Sequence, residues 1–250
     1  MSYLIAFGVL VGLSFLWFFT FKYTCLAGIF IVFMTALIFI NEFRLKILKR
    51  KCFANCYLNK KSFFYRLFQS KILVFIVSFL SSIVFSLAYS IFIINIEFSD
   101  IIFLFLSLGI SYFVYEQFIK NNIFSLEIKG LFAIDFASFL AAFLAAFLLM
   151  LYKFNFLAIP SYIDVSLVKT LENVSFSYSN CEWFNFVFEF LKEIEALEWW
   201  GIVKFSVANE NFYIKLFIWI LFLFGNLLSF IGANKIFLNL SYFIKEKGWK

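Results

Sequence analysis

Four serines recur at every fourth position of one apolar stretch: Ser78, Ser82, Ser86 and Ser90. In an α-helix, residues four positions apart lie on the same face, so their hydroxyl groups form one polar stripe. Two roles fit such a stripe inside a bilayer. Small residues allow helices to pack closely, which predicts a packing seam, and the same hydroxyls could instead form the polar wall of a substrate path.

Three other polar side chains interrupt apolar stretches: Glu116, Asp135 and Asn226. Ionisable residues inside a membrane are costly and often functional, so the two acids are candidates for proton or ion coupling. The structural alternative is that both lie near the inner surface, where Asp135 stands close to a helix N-terminus and could pair with Lys129. Asn226 is predicted to lie deepest, either contacting substrate or bonding a neighbouring helix.

The residues that common enzymes need are missing. The chain has no histidine, the commonest general base and metal ligand, and no Walker A or G-x-S-x-G motif. Cys52 and Cys56 form one C-x-x-x-C pair, whereas a structural zinc site has four ligands. We therefore predict a protein that is not an enzyme and that has no metal or cofactor. Cys25 and Cys181 both fall near the predicted outer face, where a disulfide is chemically allowed.

Small residues predict where helices approach closely. Ala137, Ala141 and Ala145 repeat every four positions, and Gly8-x-x-x-Gly12 has the spacing of a helix-packing motif. Gly225-x-x-x-Ser229 has the same spacing. Such residues let the backbones of two helices come together in lipid.

The elements that carry these residues are apolar and long. The composition is 64% apolar and 14% charged, and the apolar residues form long runs with few or no charges. Runs of about 20 residues match the thickness of a bilayer. They predict an all-α polytopic membrane protein with a single integral domain over residues 1–250. The six predicted spans are 3–21, 23–40, 72–95, 101–119, 131–152 and 212–233, with an inner connection at 41–71 and an outer connection at 153–211.

Basic residues predict the orientation. Fifteen of the 21 Lys and Arg residues fall on one side of these spans, nine of them between Arg44 and Lys71. The positive-inside rule then places both termini in the cytoplasm, and in a bacterium the membrane would be the inner one. The rule accounts for the net charge of +6 without a nucleic-acid partner.

Two connections have amphipathic patterns that predict short helices on the membrane surface. In the inner one, Ser62 could cap a helix that rests on anionic lipid or docks a cytoplasmic partner. Its candidate docking residues are Lys61, Phe63, Phe64, Arg66, Leu67 and Phe68. In the outer one, residues 182–193 would lie in the interface, with aromatic side chains at headgroup depth. Those aromatics are Trp183, Phe184, Phe186 and Phe190.

This layout resembles the membrane subunit of ABC-2-type exporters. That family typically has six spans, cytoplasmic termini, a coupling helix between spans two and three, and short outer helices between spans five and six. The counterparts in this sequence would be Lys60–Lys71 and Glu182–Glu193, although the first span begins too early for the usual N-terminal interfacial helix. The resemblance implies a permease-like subunit in an oligomer or complex, energised by a cytoplasmic ATPase. The other class that fits is a non-transporting membrane scaffold or assembly factor whose outer loop binds a protein.

Overall fold

The protein is an all-helical bundle in the part of the chain that the structure, a computed structural model, describes. The described residues are 2–57, 59, 61–63, 65, 70–121, 126–156, 160–174, 179–207 and 212–246. Their α-helices are α1 (Ser2–Thr20), α2 (Gly28–Tyr57), α3 (Lys71–Ile94), α4 (Phe98–Lys120), α5 (Leu126–Asn155), α6 (Leu167–Asn173), α7 (Glu182–Gly201) and α8 (Phe212–Glu246). Six of them, α1 to α5 and α8, are long and apolar enough to cross a membrane.

Helix α2 extends well beyond the second predicted span, which ends at Ile40. A 3-10 turn at Cys25–Ala27 leads into it, and it continues to Tyr57 through the first part of the predicted inner connection. Residues 29–57 contain neither glycine nor proline, and the charged residues there are mostly Lys and Arg, which favour helices. The charges that end the apolar run therefore do not end the helix.

Helix α8 lies at the centre of the bundle. It contacts all five of the other spanning helices, and every residue from Phe230 to Leu240 is buried. Its apolar span, Trp219–Lys245, extends past the predicted end at Ala233. The predicted span ended at Ala233 because Asn234 and Lys235 interrupt the apolar run. In the structure, both side chains have partners inside the bundle, so the helix continues through them.

The segment that is predicted to be the outer connection is attached to the start of α2 and to the turn between α1 and α2. Cys25 and Cys181 form a disulfide, and Asn180 N donates to Lys22 O at 3.0 Å. Helix α7 starts next to this disulfide and continues into a π-helical segment, Ile202–Val207. A helix is therefore present over the predicted residues 182–193, and it is longer than predicted.

Only some of the small residues that were predicted to allow close helix packing lie at such contacts. Ala137, Ala141 and Ala145 are fully buried, whereas a methyl group added at Gly8 or Gly12 would meet nothing within 4 Å. The expected contact at Gly8-x-x-x-Gly12 is therefore wrong within this chain, since that face points away from the bundle. A much tighter contact is at Gly232, where an added Cβ atom would meet the backbone carbonyl of Phe85 in α3.

Candidate functional site

The half of the bundle that is predicted to be the inner one contains a cluster of charges around Lys235 of α8. Lys235 Nζ pairs with Glu42 Oε1 of α2 and lies 3.2 Å from Asp135 Oδ1 of α5. The side chains of Glu42 and Lys235 are 8% and 7% exposed. The ammonium group of Lys235 also sits 4.7 Å from the centre of the Phe85 ring. One lysine thus joins two carboxylates from two different helices.

The remaining members of the cluster extend it toward the protein surface. Glu42 Oε2 accepts from Lys46 Nζ at 2.7 Å and from Ser81 Oγ of α3 at 2.6 Å. Asp135 Oδ2 accepts from Lys49 Nζ at 2.9 Å. The inner charge cluster therefore comprises two carboxylates and three ammonium groups: Glu42, Asp135, Lys46, Lys49 and Lys235.

Burial makes this cluster energetically demanding. Ions removed from water lose hydration, and the loss is offset only when opposite charges and hydrogen bonds surround them. Each oxygen of Glu42 has a cationic partner, and Lys235 has two anionic ones. The sequence suggested that Asp135 could pair with Lys129 near a helix N-terminus. In the structure, Asp135 pairs with Lys49 and Lys235, and helix α5 begins nine residues before it.

A pair of asparagines lies beside the cluster. Asn41 Nδ2 donates to Asn239 Oδ1 at 2.7 Å, and Asn239 Nδ2 donates to Leu37 O at 3.0 Å. They border a cavity of about 10 Å³ that Glu42, Asp135 and Lys235 also line. That volume is close to the minimum for one water molecule.

Helix α8 carries polar groups at successive depths, here called the α8 polar series: Asn226, Ser229, Asn234, Lys235 and Asn239. At 1.5 Å per residue the series extends over about 20 Å of the helix axis. Asn234 Nδ2 donates to Ser107 Oγ of α4 at 2.8 Å and to Ser138 O of α5 at 3.2 Å. Ser229 Oγ donates to Ala88 O of α3 at 3.2 Å. The central helix is thus bonded to its neighbours through polar groups along this length.

The serine stripe of α3 is buried against other helices. Ser78, Ser82, Ser86 and Ser90 are at most 1% exposed. The hydroxyl groups of Ser86 and Thr35 of α2 are 2.6 Å apart, and Ser90 O accepts from Trp17 Nε1 of α1 at 2.9 Å. The stripe therefore contacts two other spanning helices through hydrogen bonds.

Other predicted site residues lie at the periphery. Glu116 pairs with Lys245 at 3.2 Å near the C-terminal end of α8. Asn226 donates to the carbonyl of Phe222 in its own helix and borders a cavity at the predicted outer end, whereas Asn234 of the same helix is fully buried. On α7, Trp183, Phe186 and Phe190 are exposed, while Phe184 packs against Trp17.

The predicted inner docking segment is described only in part. Phe64, Arg66, Leu67 and Phe68 lie outside the described residues. Lys61 and Phe63 are described and exposed. Tyr65 N donates to Ser62 Oγ at 3.1 Å, which is the bond expected if Ser62 caps a helix.

Reasoning from sequence did not identify the residues that hold the cluster together, Glu42, Lys46 and Lys235. One available signal was the spacing of Glu42 and Lys46, which are four positions apart on a helix. Another was the pair Asn234-Lys235, which apolar stretches precede and follow. Counting both lysines as loop charges hid these signals.

These features define a multi-pass membrane protein with a polar interior. Six helices have the length and composition of spans, and buried charges join three of them. Comparison with known proteins adds no closer assignment, because no family model, curated protein or solved structure matches the chain.

Proposed function

We propose that this chain is the permease-like membrane subunit of a transport or export system whose energy comes from a separate chain. The observation that carries the proposal is the α8 polar series at the centre of the bundle. Burying polar groups in a membrane costs free energy unless each finds a partner. Proteins tolerate that cost where solutes or ions cross, and intramembrane polar and charged residues often mark such paths.

Unpaired polar atoms near the centre of the bundle support a path. The buried polar atoms without a hydrogen-bond partner among the described residues include Asn41 Oδ1, Ser78 Oγ, Ser138 Oγ and Asn234 Oδ1. Buried polar atoms in proteins are rarely left without partners. These atoms could bond to a polar solute that crosses the bundle, which is why they support the proposal.

The orientation that we propose has both termini in the cytoplasm. The basic residues are concentrated on that side, and the Cys25–Cys181 disulfide lies on the other. Disulfides persist in oxidising compartments outside the cytosol. In a bacterium the chain would then lie in the inner membrane with α7 facing outward.

Thiol labelling tests this orientation. In intact cells treated with a membrane-impermeant reductant, an impermeant maleimide should label Cys25 or Cys181 and leave Cys52, which is exposed and free, unlabelled. Cys52 and Cys56 should react once the cells are permeabilised, and the variants Cys52→Ser and Cys56→Ser assign the signal to each residue. Labelling of Cys52 in intact cells would reverse the topology.

The second chain is expected to be a cytoplasmic ATPase that docks on residues 60–71. The sequence has no nucleotide-binding motif, so powered transport needs another protein. Purified in mild detergent at native abundance, the wild type should bring down an ATPase that mass spectrometry identifies. Leu67→Glu should remove most of it, because a charge would replace an apolar anchor, and Lys61→Ala should have a smaller effect.

A matched control separates docking from a general effect of added charge. Val168 of α6 is exposed on the proposed outer side, so Val168→Glu should leave ATPase recovery unchanged. If the segment only binds lipid, the loss should follow total positive charge whichever residue is changed. Recovery of folded wild type without any ATPase would contradict the permease proposal.

A membrane scaffold or assembly factor is the second candidate function. The observation that favours it is the exposed aromatic face of α7, where Trp183 is 79% exposed and Phe186 and Phe190 are also open. The disulfide holds the start of that helix against the bundle. Exposed aromatic patches commonly bind proteins or membranes, so the scaffold would present this face to a partner.

A further inference from the structure

A partly polar cavity lies at the proposed outer end of the bundle. Its volume is about 400 Å³, and its walls come mainly from α3, α7 and α8. Ligand pockets in proteins usually measure roughly 300–1,000 Å³, so a small organic molecule fits. Asn226 and Ser229 of the α8 polar series form part of its wall.

Acidic groups dominate the charge of this outer cavity. Its lining includes four carboxylates, Glu97, Asp100, Glu195 and Glu198, and one lysine, Lys153. Lys153 lies 3.3 Å from Glu97 Oε2 and 3.2 Å from Asp100 Oδ1, so one cation serves both acids. Glu195 is paired with Lys192 at 2.7 Å.

Glu198 is the one acid of this set without an ion pair among the described residues. Its two carboxylate oxygens lie 3.9 and 4.0 Å from the position a side chain would occupy at Gly225 of α8. Burial, aided by the charge of Glu195, raises the pKa of Glu198 to about 7. A carboxylate held in this way gains from any cation that reaches it.

The rest of the wall is aromatic and aliphatic. Trp199 packs edge-on against Phe222 with ring centres 5.7 Å apart, and Phe92 and Phe224 also line the cavity. Aromatic faces attract cations, and apolar walls stabilise apolar substituents. From the volume, the unpaired carboxylate and these aromatic walls, we infer that the outer cavity binds an organic ammonium or phosphonium cation with apolar substituents.

A metal ion fits the cavity less well. Within the described part of the chain, no three His, Cys, Asp or Glu residues come together as a metal site. Glu97 and Asp100 already share Lys153. A large cation of delocalised charge instead matches one carboxylate beside aromatic rings.

The binding step stands independently of transport. Transport of the bound cation rests on the proposed function, whereas binding of the cation does not. If the chain is a permease, such cations are its substrate class. Binding is therefore measured on the purified chain alone. Failure to recover an ATPase would remove the transport role and leave the binding site intact.

The test compares two ions of the same shape and opposite charge. The full chain in lipid nanodiscs should bind tetraphenylphosphonium by equilibrium dialysis at pH 8, after subtraction of uptake by empty nanodiscs. Tetraphenylborate should not bind specifically, because the acids repel it. Glu198→Gln should weaken phosphonium binding about tenfold or more, the effect expected for loss of a charged contact.

Lowering the pH should act in the same direction as the Glu198 variant. Between pH 8 and pH 6, protonation of Glu198 should weaken binding about tenfold, since protons and the cation compete for one carboxylate. The Glu198→Gln variant should lose most of this dependence. The other charged groups that line the cavity are Glu97, Asp100, Lys153 and Glu195, and Lys192 and Tyr162 lie near these acids.

A matched variant controls for general effects on the helix. Glu193 is an exposed acid of α7 that does not line the cavity, so Glu193→Gln should bind the phosphonium ion like the wild type. Because burial favours the neutral form of Glu198, Glu198→Gln should fold, and its elution and thermal melting verify this. Equal binding of the two ions, no specific binding of the phosphonium ion, or wild-type binding by folded Glu198→Gln would each overturn the inference.

Discussion

Replacing Gly232 with alanine should destabilise the bundle by about 3 kcal/mol or more, at the upper end of overpacking effects. A Cβ atom at this position would overlap the carbonyl oxygen of Phe85 and lie 3.1 Å from the Cβ of Tyr89. Backbone atoms cannot rotate away as a side chain can, so α3 and α8 would have to separate. The free energy of unfolding in mixed micelles measures the effect.

The same substitution at an open position provides the control. Gly8 and Gly12 of α1 have nothing within 4 Å of the added methyl group, so alanine there should be neutral or stabilise the helix by about 0.5–1 kcal/mol. If Gly232→Ala unfolds at the same denaturant concentration as Gly12→Ala, the close contact between α3 and α8 does not exist.

Neutralising one acid of the inner charge cluster should have a similarly large effect. Glu42→Gln leaves Lys235 buried with only Asp135 as its anionic partner. Breaking a buried ion pair from one side costs about 3–5 kcal/mol, because the remaining charge loses its compensation. The remaining contact with Asp135 places the expected loss near the lower end of that range. Unfolding in mixed micelles is again the measurement.

A second variant distinguishes charge from shape. Glu42→Gln together with Lys235→Met removes both members of the pair, so the double variant should lose less than the sum of the two single losses. Glu116→Gln is the matched control, because Glu116 pairs with a half-exposed lysine and surface pairs contribute less than about 1 kcal/mol. Equal losses for Glu42→Gln and Glu116→Gln would show that burial does not strengthen the cluster.

Much of the membrane architecture could be predicted from local sequence. Each of the six candidate spans overlaps a predicted one, because the length of an apolar run is enough to indicate a crossing helix. Ser78 to Ser90 could be assigned to one face because helical periodicity is local. The end of α8 was missed because Lys235 looked like a boundary when its partners were unknown.

The candidate site could be predicted only where a signal was local. Asp135 was recognised as an acid within an apolar run, but its partners were not. Glu42 and Lys235 are 193 positions apart in sequence, and they meet because α2 and α8 pack side by side. Gly232 and Gly12 likewise look equivalent in the amino-acid sequence, yet of the two only Gly232 lies against the backbone of another helix.

By itself, the sequence determined that this is an all-helical membrane protein with six apolar helices, because hydropathy and periodicity depend on neighbours along the chain. The tertiary structure decided which buried charges neutralise one another, which cysteine pairs with Cys25, and which helix becomes the centre. Those choices depend on how whole helix surfaces fit together. In the sequence, Lys235 looks like the end of a span. In the structure it is buried within the span, because carboxylates from two other helices compensate its charge.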